Sequence, residues 1–171
     1  IVDKKDKLIG IVTRSDMLGA KPSGVSTLSV YEIASLLEKV TMSQIMSHPV
    51  MAVQEDCSIA NAANHMLDHG ISCLPVVREE EVVGIITDTD VFKTFVEVTG
   101  GGQAGSRVEV RMPDKKGYLA KFVNVFAEAD SYIVSVAMTY DDSGDFCYVD
   151  LKERGGDEKM LREKLENLED I

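Results

Sequence analysis

Apolar residues recur along this chain in two rhythms. Short runs such as LIGIV (Leu8–Val12), VMAV (Val50–Val53), CLPVV (Cys73–Val77) and VVGII (Val82–Ile86) are bounded by charged turns and predict buried strands. RVEVRM, SYIVSVAMTY and DFCYVDLKE alternate as strands also. Elsewhere the apolar positions fall three and four apart. Val30, Ile33, Leu36, Leu37 and Val40 make one helical face, with Ser29 and Glu32 as its capping box. Ile59, Ala62, Ala63, Met66 and Leu67 make another, with Ser58 at its N-cap and Gly70 at its exit. A short helix is expected around Met42–Met46, and KGYLAKFVNVFAEA and DEKMLREKLENLED read as amphipathic helices.

One pattern occurs twice. GIVTRSDML at Gly10 and GIITDTDVF at Gly84 each end an apolar run, make a polar step and enter a helix through Thr-x-x-Asp. Self-similarity of this kind marks two copies of one structural unit. It organises the chain as a half-repeat in 1–25, a linking helix in 26–40 and a whole repeat in 41–98. TGGGQAGS, residues 99–106, has the composition of a flexible linker. Residues 107–171 read as β-α-β-β-α, which a fourth strand after Ile171 would complete as a ferredoxin-like unit. The chain opens at Ile1 inside what reads as a hairpin, so we expect a piece of a longer protein. The fold class is α/β (α+β).

Charge narrows the partners. The formal net charge is −11, with 8 Lys/Arg against 14 Asp/Glu in residues 1–102 and 10 against 15 in the remainder. Acidity in both parts speaks against a nucleic-acid partner or an anionic membrane surface, which need a basic footprint. Without an apolar run of bilayer length or a signal-peptide pattern, the expectation is a cytoplasmic protein with reduced thiols at Cys57, Cys73 and Cys147.

TMSQIMSHPVMAVQED, HGISCLPVV and VVGIITDTDVF, in that order, resemble the signature of cystathionine-β-synthase (CBS) domains, which pair as Bateman modules. Residues 41–96 resemble a whole repeat and residues 1–20 the second half of its partner. VEVRMPDKKGYLAKFVNVFAEAD resembles the strand, Pro/Gly loop and helix of an ACT domain. The order CBS, CBS, ACT is similar to that of AcuB-type acetoin-utilisation regulatory proteins. The resemblance implies an adenosine-containing ligand between repeats, with Thr13 and Asp16, and Thr87 and Asp90, holding ribose. It places Val50, Cys73 and Leu74 against adenine, and Met46 and Ser47 along the cleft. A carboxylate can accept from two vicinal hydroxyls, and such bonds are charge-assisted. The same Thr-x-x-Asp also serves as a helix capping box, and both uses fit.

Arg14 is the basic residue inside the two motifs and is expected near phosphates, while Asp88 holds the equivalent place in the second copy. AMP or ATP is the first choice from the family, and S-adenosylmethionine would suit an acidic site better. His65 and His69 have the spacing of a metal pair without a third ligand, and read as a solvent-facing pair. The loop Pro113–Gly117 could receive an amino acid, although pairing of the 132–140 and 146–152 strands into a homodimer is the plainer use of this region. No catalytic motif is present, so the reading is a non-enzymatic regulator without catalytic cofactor or metal. A dimerisation scaffold with empty clefts is the alternative.

Overall fold

The computed structural model describes residues 1–20 and 29–168. The expected boundary between the half-repeat and the linking helix lies at 21–28, outside the described residues. The chain forms two compact units, Ile1–Val91 and Phe92–Ile171.

In the first unit the helices are α1 (Arg14–Gly19), α2 (Val30–Leu37), α3 (Met42–Ile45) and α4 (Ile59–His69). The strands are β1 (Val53–Gln54), β2 (Cys73–Arg78) and β3 (Glu81–Thr87), and α5 (Asp88–Val98) follows β3 across the division between units. β2 lies between β1 and β3, parallel to β1 and antiparallel to β3. Parallel neighbours need a crossover, and α4 supplies it. The Ser58 hydroxyl accepts from the Asn61 amide at 3.2 Å, and Gly70 closes α4 in the left-handed conformation at φ 61°. The inward side of α4 then places Ala62 and Met66 against Val53 and a fully buried Leu74.

Leu8–Val12, expected as a strand, makes isolated bridges instead: Val2 to Leu8, Lys7 to Glu81 and Ile11 to Ser47. Its antiparallel neighbour among the described residues is Ile1–Asp3. Lys7 adds an exposed ion pair to Glu80 at 2.6 Å, of the kind that contributes little to stability. α2 carries the predicted capping box, with the Ser29 amide and hydroxyl donating to Glu32, yet its Val30 is 79% exposed. Among the described residues no helix is long and apolar enough to cross a membrane.

The second unit contains β4 (Ser106–Pro113), α6 (Tyr118–Glu128), β5 (Tyr132–Tyr140), β6 (Phe146–Arg154) and α7 (Glu158–Glu166). The sheet is antiparallel, and β6 inserts between β4 and β5. That is the strand order of a split β-α-β arrangement. β6 alternates: Cys147, Val149, Leu151 and Glu153 are buried, while Tyr148 is exposed on the other face. Phe122 and Phe126 of α6 meet edge to face at 5.2 Å and pack with Met112, Leu151 and Leu161. The alternation also carries the Glu153 carboxylate inside, where it accepts from the Ser131 hydroxyl and, at 3.1 Å, from the Gly156 amide.

The glycine-rich segment expected as a flexible linker is fastened to β6. Lys152 Nζ donates to the carbonyls of Gly100 at 2.8 Å and Gln103 at 2.6 Å. At Gly105, φ is 140°, and a Cβ would sit 1.9 Å from the Glu153 carbonyl oxygen. Here the missing side chain permits close approach of two backbones rather than looseness.

The two glycines of the repeat are sterically unequal. A Cβ on Gly10 would lie 2.2 Å from Met46 Sδ and 3.1 Å from Met46 Cβ, whereas one on Gly84 would meet Val76 at 3.9 Å. Gly10→Ala should therefore lower the denaturation free energy by about 1–3 kcal/mol through overpacking. Gly84→Ala should stay within about 0.5 kcal/mol of the parent. Urea midpoints of the two variants check this, and equal losses would contradict it.

A cleft beside Thr13 and Asp16

α1 begins with a complete capping box. The Thr13 amide and hydroxyl both donate to Asp16 Oδ2 at 2.7 Å, and the Asp16 amide returns a longer bond of 3.4 Å to Thr13 Oγ1. This fixes the carboxylate and leaves Oδ1 turned toward Ser47, whose hydroxyl is 3.4 Å away. Ile11 and Ser47 exchange amide and carbonyl bonds at 3.2 and 2.9 Å, so the residues just before Thr13 are held against those just after α3.

Behind this joint lies an open cleft of about 430 Å³. Its first wall is Ile11, Thr13, Ser15 and Asp16. Its second is Ser47, Pro49, Val50 and Met51, and its floor is the stretch His69–Cys73 between α4 and β2. The half-repeat thus contributes Ile11, two hydroxyl residues and a carboxylate, and the whole repeat contributes apolar groups together with the polar residues Ser47, His69, Ser72 and Cys73.

Of the residues expected from sequence, the cleft gathers Thr13, Asp16, Ser47, Val50 and Cys73. It does not gather Leu74, whose side chain is consumed by the core, or Met46, which packs over Gly10. Arg14 is exposed on α1 and is not part of the lining. Thr87 and Asp90 also lie outside this cleft. They form the same cap at the start of α5, with the Thr87 hydroxyl donating to Asp90 Oδ2 at 2.6 Å and the Thr87 amide at 3.0 Å. Capping is thus seen at both copies, and the cleft at the first. Pro49, Met51, Ile71 and Ser72 were not anticipated. They flank Val50 and Cys73 in sequence, and the loop after Gly70 carries no side-chain pattern that would have marked it.

Hydrogen bonds from the Thr13 hydroxyl and amide, with a smaller one from Ser47, hold the Asp16 carboxyl below the usual carboxylate range despite partial desolvation. Burial pushes the Cys73 thiol up from its ordinary value, and the Asp88 and Asp16 carboxylates add to the shift. Asp88 stands close because its amide donates to the Ser72 carbonyl at 2.9 Å. His69 lines the cleft while its Nδ1 lies 3.0 Å from the His65 carbonyl, an acceptor that requires the proton on Nδ1. The two histidine rings are 6.4 Å apart, and among the described residues no cluster of three or more His, Cys, Asp or Glu side chains could hold a metal ion.

A family model described as the CBS domain matches residues 1–23 and 42–97. Homoserine O-acetyltransferase from Methanosalsum zhilinae is 48% identical over 64 residues, 37% of this chain and 13% of that enzyme. The CBS domain pair of protein MJ0100, solved with 5′-methylthioadenosine and S-adenosylmethionine, is 32% identical over 56% of this chain and 66% of its own, with a TM-score of 0.43. A Vibrio cholerae protein assigned to acetoin utilization (AcuB) is 34% identical over 56% of this chain and 64% of its own, with a TM-score of 0.44. The chain spans less than half the length of the first curated relatives it matches. The match to the CBS-domain family falls on residues 1–23 and 42–97, so that both copies of the Thr-x-x-Asp motif lie inside it and residues 98–171 lie outside it.

Proposed function

We propose that this chain is a non-catalytic sensor whose cleft at Thr13 and Asp16 holds the ribose of an adenosine-containing ligand. The observation that carries the reading is the meeting of Thr13 and Asp16 from one repeat with Ser47, Val50 and Cys73 from the other, around one open space. Asp16 Oδ2 is engaged by Thr13, and Oδ1, with one long contact to Ser47, has lone pairs left for a ribose hydroxyl. Val50 and Met51 offer apolar contact to a base. A ligand touching both walls favours the closed arrangement of the repeats over any open one, which is the requirement for a signal.

In this reading the ACT-like unit is the assembly or effector module of an AcuB-type regulator. Its support is β5, an edge strand of its sheet that leaves Tyr132, Ile133, Val136 and Tyr140 exposed. Thr87 and Asp90 would serve a second, equivalent site facing the other half of the pair.

Thermal unfolding with adenosine, AMP, ATP, NADH or S-adenosylmethionine tests the sensor reading. A ligand at 100 times its Kd should stabilise the fold by about 2.7 kcal/mol. Absence of any shift leaves a dimerisation scaffold. Thr13→Val and Asp16→Asn should each weaken binding by roughly tenfold or more, the worth of a charge-assisted hydrogen bond. Thr87→Val, which breaks the same kind of cap away from this cleft, should cost about 1 kcal/mol of stability and leave affinity at the cleft unchanged. Equal effects of Thr13→Val and Thr87→Val on affinity at the Thr13 cleft itself, read from the amide shifts of Ser15 and Ile71, would reduce the motif there to capping.

Cys73 gives an independent readout. With its thiol shifted upward, less thiolate is present at pH 8, so iodoacetamide should label it more slowly than a free thiol, and faster as pH rises. Saturating ligand should slow labelling further. Undiminished labelling in the presence of a bound nucleoside would put that nucleoside elsewhere.

A further inference from the structure

The charge around the cleft says more about the ligand than its sugar. Among the described residues that line it there is no Lys or Arg, Asp16 is the single carboxylate and His69 the single base. Asp88 stands just outside, tied to Ser72 by its amide and near enough to act on the Cys73 thiol together with Asp16. Two carboxylates, one from each repeat, therefore bias one small volume toward positive charge.

The other common receptor for phosphate is a helix N-terminus with free amides. At both helices that start here the third amide of the first turn is taken by the chain's own cap. At α1 the Asp16 amide faces Thr13 Oγ1 and the Thr13 amide faces Asp16. At α5 the Thr89 amide donates to Asp88 Oδ1 at 2.5 Å and the Asp90 amide to Thr87 Oγ1 at 3.3 Å. The first turn of α5 holds two aspartates, which offset the positive end of the helix dipole. Arg14, the residue sequence reasoning assigned to phosphate, is outside the lining.

Resting on the ribose reading above, we propose that this cleft selects adenosine compounds whose 5′ substituent is neutral or cationic, such as a thioether or sulfonium, and turns away those bearing phosphates. A dianionic or more highly charged 5′ group would enter a site with two nearby carboxylates and no lining cation, where like charges repel and desolvation lowers the screening. A sulfonium meets the same carboxylates as an attraction. The low-salt preference should shrink as salt screens the exposed part of this field.

Isothermal titration of the whole chain at pH 8 compares adenosine, methylthioadenosine, S-adenosylmethionine, AMP and ATP, each with and without Mg²⁺. The expected result is at least about tenfold tighter binding of the three phosphate-free compounds, with the difference narrowing in Asp88→Asn and at high salt. Any smaller difference, or AMP or ATP binding as tightly as adenosine with or without Mg²⁺, overturns the selectivity while the ribose reading stands. A difference unchanged in Asp88→Asn overturns its electrostatic cause. Binding of none of the five compounds removes the ribose reading and the selectivity together.

Discussion

The exchange of backbone hydrogen bonds between Ile11 and Ser47 is the joint from which the candidate site is built. Two such bonds contribute about 1 kcal/mol each, so they do not hold the half-repeat in place alone. Met46 supports them by lying across Gly10, where the absence of a Cβ lets the two backbones come within bonding range. Once Ile11 is fixed, Thr13 follows two residues on, and its capping box decides where the Asp16 carboxylate points. The cleft is therefore a consequence of backbone pairing and helix entry.

Capping leaves lone pairs of the same carboxylate unused, so the proposed ribose contact is compatible with the cap. Oδ2 accepts twice from Thr13 and orients the group, and Oδ1 is left with a distant contact to Ser47. Hydrogen bonding to the ionised form keeps Asp16 charged through the physiological range, so it can accept from a sugar hydroxyl without first losing a proton. Because its carboxyl is shifted downward, whatever stability this ionisation gives is present above the ordinary carboxylate range. It is lost as pH falls through the lowered value.

Much of the fold was legible because local signals and burial agree. Ser58, the apolar face of α4 and Gly70 all mark one helix, and the alternation of β6 marks its two faces. The glycine-rich segment misled because composition reports freedom of the isolated chain. Lys152 and the carbonyl of Glu153, far along the sequence, decide what those glycines do. The site was legible in part for a similar reason. Thr13, Asp16, Ser47, Val50 and Cys73 sit on motifs that the repeat itself exposes. Leu74 stands next to Cys73, and strand alternation sends its side chain to the opposite side, into the core. The residues Gly70–Ser72 also line the cleft, and sequence reasoning took only Cys73 and Leu74 from HGISCLPVV. Asp88 was read as the counterpart of Arg14 in a separate site, and its amide bond to Ser72 brings it beside the first.

In the proposed function one ligand touches both repeats at this joint. Amide chemical-shift mapping of the isotopically labelled chain during titration with adenosine reads this most directly. Concerted, saturable shifts are expected at Ser15 and Asp16 in one repeat and at Ser47, Val50 and Ile71–Cys73 in the other, with a common dissociation constant. Shifts confined to one of the two segments, or gathered around Pro113–Gly117 in the second unit, would contradict it.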